Sequence, residues 1–272
     1  MKDLLLLGIF NSLYFVIGVF ALGFIFSKIE EKNAYYLGSG AGMKGLIATG
    51  VIGVPVHELS HYIACRVFMH NVERVEFFRP KKGLRDGVMG KVIHSREKGN
   101  VYQMVGDFFI GVAPVITGSF LLYILMTLYL GSEANIFKMI IDIEGSMEMI
   151  KNMDFIKYMF HMLTSGIDIT FLIIKSPELF TIKGIIIMFM IYSIAIHLSL
   201  SKRDISNSSN AVIVVIPVII ILHVVLGFLG FDFAGLFMKM VTYLFTIMTA
   251  GIMISVPLTL FSFAIYVVGG FL

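Results

Sequence analysis

Uncharged apolar runs, each about as long as a bilayer is thick, alternate with short charged segments along this chain. A helix needs roughly 20 apolar residues to cross the hydrocarbon. That rule predicts six spans: Leu4 to Phe26, about Gly45 to Val67, Phe108 to Leu130, Gly184 to Leu200, about Ala211 to Phe231, and a run from near Met240 to Leu272. The last is longer than one crossing needs, so it tilts, kinks at Pro257 or folds back. The first is longer than a signal-peptide core and no small-x-small site follows it cleanly, so it reads as a retained span.

The segments between the runs differ in kind. Val72 to Ile93 is basic and partly alternating, with a turn-prone stretch from Lys81 to Gly87, which predicts two short strands about a turn. Gly131 to Lys183 is mixed in charge, Met-rich and amphipathic, which predicts interfacial or extramembrane helices. The expected fold is therefore one all-α polytopic membrane domain over residues 1–272. It has about six transmembrane helices and a small β-hairpin (about 72–94) between helices 2 and 3.

Composition agrees: 58% of residues are hydrophobic and 14% charged, which excludes an ordinary soluble domain. The net charge of +3 is small and its basic residues lie in loops, so nucleic acid is not an expected partner. Cys65 is the one cysteine, so no intramolecular disulfide forms. Lys and Arg crowd between Arg66 and Lys98 and recur at Lys202 and Arg203, which predicts cytoplasmic termini and a cytoplasmic hairpin. The expected location is the plasma membrane of a bacterium.

Inside the second run stands His57-Glu58-Leu59-Ser60-His61. His57 and His61 are one helical turn apart, so both imidazoles leave the same face, and Glu58 stands about 100° round from His57. Two imidazoles and a carboxylate among apolar residues suit metal-assisted hydrolysis and are costly to place in lipid otherwise. A catalytic zinc takes three protein ligands and leaves a position for water. The third ligand is sought at the end of the fourth run, His197-Leu198-Ser199-Leu200-Ser201-Lys202-Arg203-Asp204. If the helix continues, His197 and Asp204 lie two turns apart on one face, and either can be the ligand. Asp204 is favoured because a carboxylate leaves the site less positive. His197 then donates a hydrogen bond beside the metal or to a substrate carbonyl. Glu58 is the expected catalytic base.

These residues resemble the site-2 protease family of intramembrane zinc metalloproteases. The matching residues are His57, Glu58 and His61 in an early span and a downstream aspartate in a later one. In that family the aspartate lies in a motif of the type Asn-Pro-x-Asp-Gly. Here the stretch is Ser201-Lys202-Arg203-Asp204-Ile205, which marks a divergent member. Gly111-Val112-Ala113-Pro114 is similar to the Gly- and Pro-containing core helix of such proteases, and the basic strand pair is similar to their membrane-associated hairpin. The resemblance implies one zinc ion, a membrane-spanning or membrane-tethered protein or peptide substrate, and core helices at about 45–67, 108–130 and 184–204. An exposed strand edge could hold an unwound substrate by β-augmentation, with Gly111 and Pro114 loosening the third helix beside the site. The alternatives are a ZIP-like metal transporter, which also carries a His-Glu-x-x-His element, and a relative that binds membrane helices without cutting them.

Overall fold

The computed structural model describes residues 2–131, 140, 142–152 and 154–269. Its elements, in order, are α1 (Lys2–Gly40), α2 (Gly42–Val67), β1 (Asn71–Glu76), α3 (Pro80–Asp86), β2 (Lys91–Ser95), α4 (Val101–Leu130), α5 (Ile143–Lys151), α6 (Phe155–Lys175), a 3-10 turn (Pro177–Phe180), α7 (Ile182–Ala195), α8 (Lys202–Phe228) and α9 (Phe233–Gly269). Among the described residues the structure is 83% helical with one two-stranded antiparallel sheet.

Polar side chains fix where the helices begin. The Asn100 side chain accepts from the Gln103 N–H at 3.2 Å to start α4, and Asp142, Asp154 and Thr181 cap α5, α6 and α7 in the same way. Gly42, at φ +63°, takes the left-handed turn that lets α2 follow α1 after one residue.

Among the described residues, four helices are long and apolar enough to cross a membrane: α1, α4, α8 and α9. That is fewer than the six spans expected. The segment 184–204 does not form one helix. α7 stops at Ala195 after 14 residues, about 21 Å, short of the roughly 30 Å hydrocarbon core. α2 has 26 residues but carries the polar HELSH element and does not count among the four. α1 does not end near Phe26. It continues to Gly40 through Lys28, Glu30, Glu31 and Lys32. α9 stays one helix through Pro257 as far as Gly269, and residues 270–272 lie outside the described residues.

The core is a seam of large side chains shared by several helices. Phe15, Val19 and Phe26 of α1 meet Phe108, Leu122 and Met126 of α4 and Phe245 and Met248 of α9, all buried. α6 packs one face into the bundle. It buries Tyr158, Met162, Ile169 and Ile173 in that seam and turns Ile156, Phe160 and Phe171 outward, so both of its sides are apolar. Described parts of 131–183 therefore join the bundle.

The hairpin forms between α2 and α4, but its connection is the short helix α3 rather than an open turn. Val75 pairs with Val92 and Glu76 with Lys91, and a bulge falls between Val72 and Arg74. The basic character of this unit has a local cause. Glu76 gathers Lys82 at 2.6 Å, Arg74 at 3.3 Å, and Arg79 and Lys91 at 3.7 Å each. The Lys82 hydrogen bond, with Arg74 and Arg79 near, holds the Glu76 carboxyl down at about 2. A carboxyl lowered on folding stabilises the fold above its unfolded value of about 4.5, and that contribution is lost as pH falls toward about 2. Glu76→Gln is expected to free α3 at neutral pH. Trypsin should then cut after Lys81, Lys82 or Arg85 several-fold faster than in wild type, and equal cutting rates would show that the cluster does not hold α3.

Candidate metal centre

Three side chains from two helices converge. His57 and His61 of α2 and Asp204 of α8 offer ligand atoms that all lie within 4.8 Å of one another and could hold a metal ion. The two Nε2 atoms are 3.1 Å apart, Asp204 Oδ1 is 3.5 Å from His61 Nε2, and Asp204 Oδ2 is 4.0 Å from His57 Nε2. Around a tetrahedral ion with bonds of about 2.0 Å, donor atoms sit about 3.3 Å apart. The spacing suits a small tetrahedral cation.

The far side of each ring says which nitrogen carries the proton. His61 Nδ1–H donates to the Ile110 carbonyl at 2.8 Å, and His57 Nδ1–H donates to the His197 carbonyl at 2.8 Å. A carbonyl only accepts, so in the neutral rings both Nε2 atoms present lone pairs, and they face each other. Two lone pairs at 3.1 Å repel unless a cation or a proton lies between them. This is the chemistry that a metal site needs, together with the backbone partners that orient metal-binding histidines.

Each accepting carbonyl is free for a reason written in the sequence. Within a helix, the Ile110 carbonyl would accept from the N–H of residue 114, but Pro114 has none. α4 stays continuous from Val101 to Leu130 with Pro114 inside it, and the missing N–H releases one carbonyl to His61. The His197 carbonyl lies beyond the last turn of α7, in the irregular stretch 196–201, and has no helical partner. Gly111 has a packing role. A Cβ there would run into the Ser208 hydroxyl and stand 2.8 Å from the Asp204 carbonyl oxygen, so glycine lets the first turn of α8 rest on α4.

Asp204 is placed by a helix cap. Ser201 Oγ accepts from the Asp204 N–H at 3.1 Å, and Asp204 Oδ2 accepts from the Ser201 N–H at 2.9 Å. This reciprocal capping box starts α8. Asp204 therefore reaches the two histidines from the first turn of α8, not from an extension of α7. The pattern Ser-x-x-Asp at 201–204 was the sequence signal for that start.

His197 is not one of the three converging side chains. Its carbonyl serves His57, while its ring turns away, with Nδ1 3.1 Å from Glu30 Oε1. The Ser193 hydroxyl docks on α2 there: it accepts from the Gly53 N–H at 2.9 Å and donates to the Thr49 carbonyl at 2.5 Å. Gly53 has no Cβ, which would strike the Ser193 carbonyl oxygen and the His197 ring. Cys65 is buried and stands outside the converging group.

Glu58 is buried beneath the hairpin. A Cβ on Gly90 would be 2.6 Å from Glu58 Cγ, so the chain entering β2 passes directly over the glutamate. A cleft of about 200 Å³ opens here, bordered by Glu30, His57, Glu58, Met89, Gly90 and His197. The sequence reading placed His57, Glu58, His61 and Asp204 together, and the structure agrees on their proximity. It missed Glu30, Ser193 and the Ile110 carbonyl, which lie far from the motif along the chain.

Compared with models of protein families, with curated proteins and with solved structures, the chain matches none. By the length and composition of its helices it is a membrane protein, and it carries a His/Asp group able to hold a metal ion.

Pro114→Ala separates orientation from stability. Alanine restores the bond from residue 114 to the Ile110 carbonyl and raises helix propensity, so thermal stability of the metal-free protein should rise. The carbonyl is then shared with His61, and metal affinity should fall roughly 10- to 100-fold, the usual effect of disturbing a ligand's outer partner. Competition with a chromophoric chelator measures this, and unchanged affinity would refute the role given to Pro114.

Proposed function

We propose that this protein is an intramembrane zinc-dependent endopeptidase of the site-2 protease type. The observation that carries the proposal is one cluster. Two imidazoles and a carboxylate stand at tetrahedral spacing, with Glu58 one residue along the same helix and bordering the cleft beside them. Bound zinc would supply Lewis acidity and lower the pKa of a water in the open position.

The protein's own groups carry the remaining tasks. Glu58, shielded by the strand segment at Gly90, takes the proton of the attacking water and returns it to the leaving amine. Its burial keeps bulk water from competing for that proton. His57 and His61 are held by carbonyls at both Nδ1 atoms and do not rotate away when substrate enters. Among the described residues the sheet has two strands, and a strand edge is the element that would pair with an unwound substrate segment. In this reading α2 and α7 join the four long helices as membrane-embedded core elements, and the substrate is a membrane-spanning or membrane-tethered protein cut near a membrane face.

The transporter reading has less support. A transport path needs successive ligand sets along the membrane normal, and among the described residues His57, His61 and Asp204 form the one group of three or more suited to a metal. The intact base at Glu58 speaks against a relative that binds helices without cutting them.

Glu58→Gln is the direct test, measured in proteoliposomes on transmembrane test substrates. Zinc content should stay near wild type while the cleavage rate falls about 10²- to 10⁴-fold. Asp204→Ala should lose the metal and the activity together. A Glu58→Gln protein that cleaves at the wild-type rate would overturn the proposal.

A further inference from the structure

Two of the three metal-binding side chains depend on a stretch with no secondary structure of its own. Residues 196–201 supply the carbonyl that orients His57 and the cap that positions Asp204. Such a stretch holds one geometry only if something outside it does so, because backbone without a hydrogen-bonded ladder keeps its conformational freedom. α1 supplies that support. Gly23, Ser27 and Glu30 are spaced at i, i+4 and i+7 and so share one face of the helix. Gly23 lets Leu200 approach, since a Cβ there would stand 2.7 Å from Leu200 Cδ1. Ser27 Oγ donates to the Leu200 carbonyl at 2.8 Å. Glu30 makes the two remaining contacts. One oxygen accepts from His197 Nδ1 at 3.1 Å and the other from the Ser199 hydroxyl.

We propose that Glu30 of α1 is a positioning residue for the metal centre, clamping His197 and Ser199 so that the His197 carbonyl and Asp204 keep the metal geometry. The inference rests on the metal-centre reading. It explains why, within the charged stretch Lys28–Lys32 of α1, the Glu30 carboxylate turns toward residues 196–201. It also assigns the His197 side chain its place. The ring is the handle by which α1 holds the backbone carbonyl that His57 needs, rather than a metal ligand.

The test compares zinc affinity, by chelator competition, with the thermal stability of the metal-free protein. Glu30→Ala and Ser199→Ala are set beside Asn33→Ala. Asn33 is the matched control, because it lies one turn further along α1 and joins Tyr192 at 2.9 Å and Ser262 at 2.7 Å without touching residues 196–201. The expected result is a roughly 10- to 100-fold loss of zinc affinity in Glu30→Ala, a smaller loss in Ser199→Ala, and wild-type affinity in Asn33→Ala even where its stability falls. Glu30→Gln keeps one acceptor oxygen and should recover part of the affinity, which also covers the case in which Glu30→Ala fails to fold. Zinc affinity that Glu30→Gln and Ser199→Ala leave unchanged would overturn the role of Glu30 alone. A wild-type protein with no zinc affinity would overturn the metal centre, and this inference with it.

Discussion

Two imidazole nitrogens face each other at 3.1 Å with their opposite nitrogens committed to carbonyls, and much of the surrounding structure serves that arrangement. In an apolar bundle such a pair is unstable alone, because lone-pair repulsion is poorly screened in a low dielectric. A bound cation reverses the sign of the interaction. The fold then has to aim two rings and one carboxylate at a point, using helices whose backbone groups are normally consumed by their own ladders.

The solution is to open the ladders at chosen places. Pro114 releases one carbonyl within α4, and the end of α7 releases another. The Ser193 hydroxyl bonds the Gly53 N–H and the Thr49 carbonyl of α2 one turn before His57. Each opening is satisfied by a side chain, as backbone in a membrane interior must be. Buried polar groups away from the site follow a simpler logic and join helices directly. Asn11 meets His223 at 3.1 Å, giving that histidine a structural partner, and Tyr192 and Ser262 share Asn33.

The parts legible in the sequence were those set by short-range periodicity. His57 and His61 fall on one face because a helix repeats every 3.6 residues, and the hairpin announced itself by alternation and glycine. Asp204 was found by its distance from the apolar run, but its helix was assigned wrongly. Hydropathy sees no boundary between Gly184 and Leu200, whereas the Ser201–Asp204 capping box starts a new helix. The contacts of Gly111 and Pro114 were not legible for a related reason: a neighbour uses the missing Cβ or the missing N–H, and that neighbour is about 50 to 100 residues distant. Glu30 was invisible because its partners, His197 and Ser199, lie 167 and 169 residues away.

X-ray absorption at the zinc edge of the purified wild-type protein tests the central claim most directly. The account predicts scattering from two imidazoles at about 2.0–2.1 Å, and carboxylate and water oxygens at about 2.0–2.2 Å, in a four-coordinate shell. A shell made of oxygen alone, or a folded protein that takes up no zinc, would contradict it.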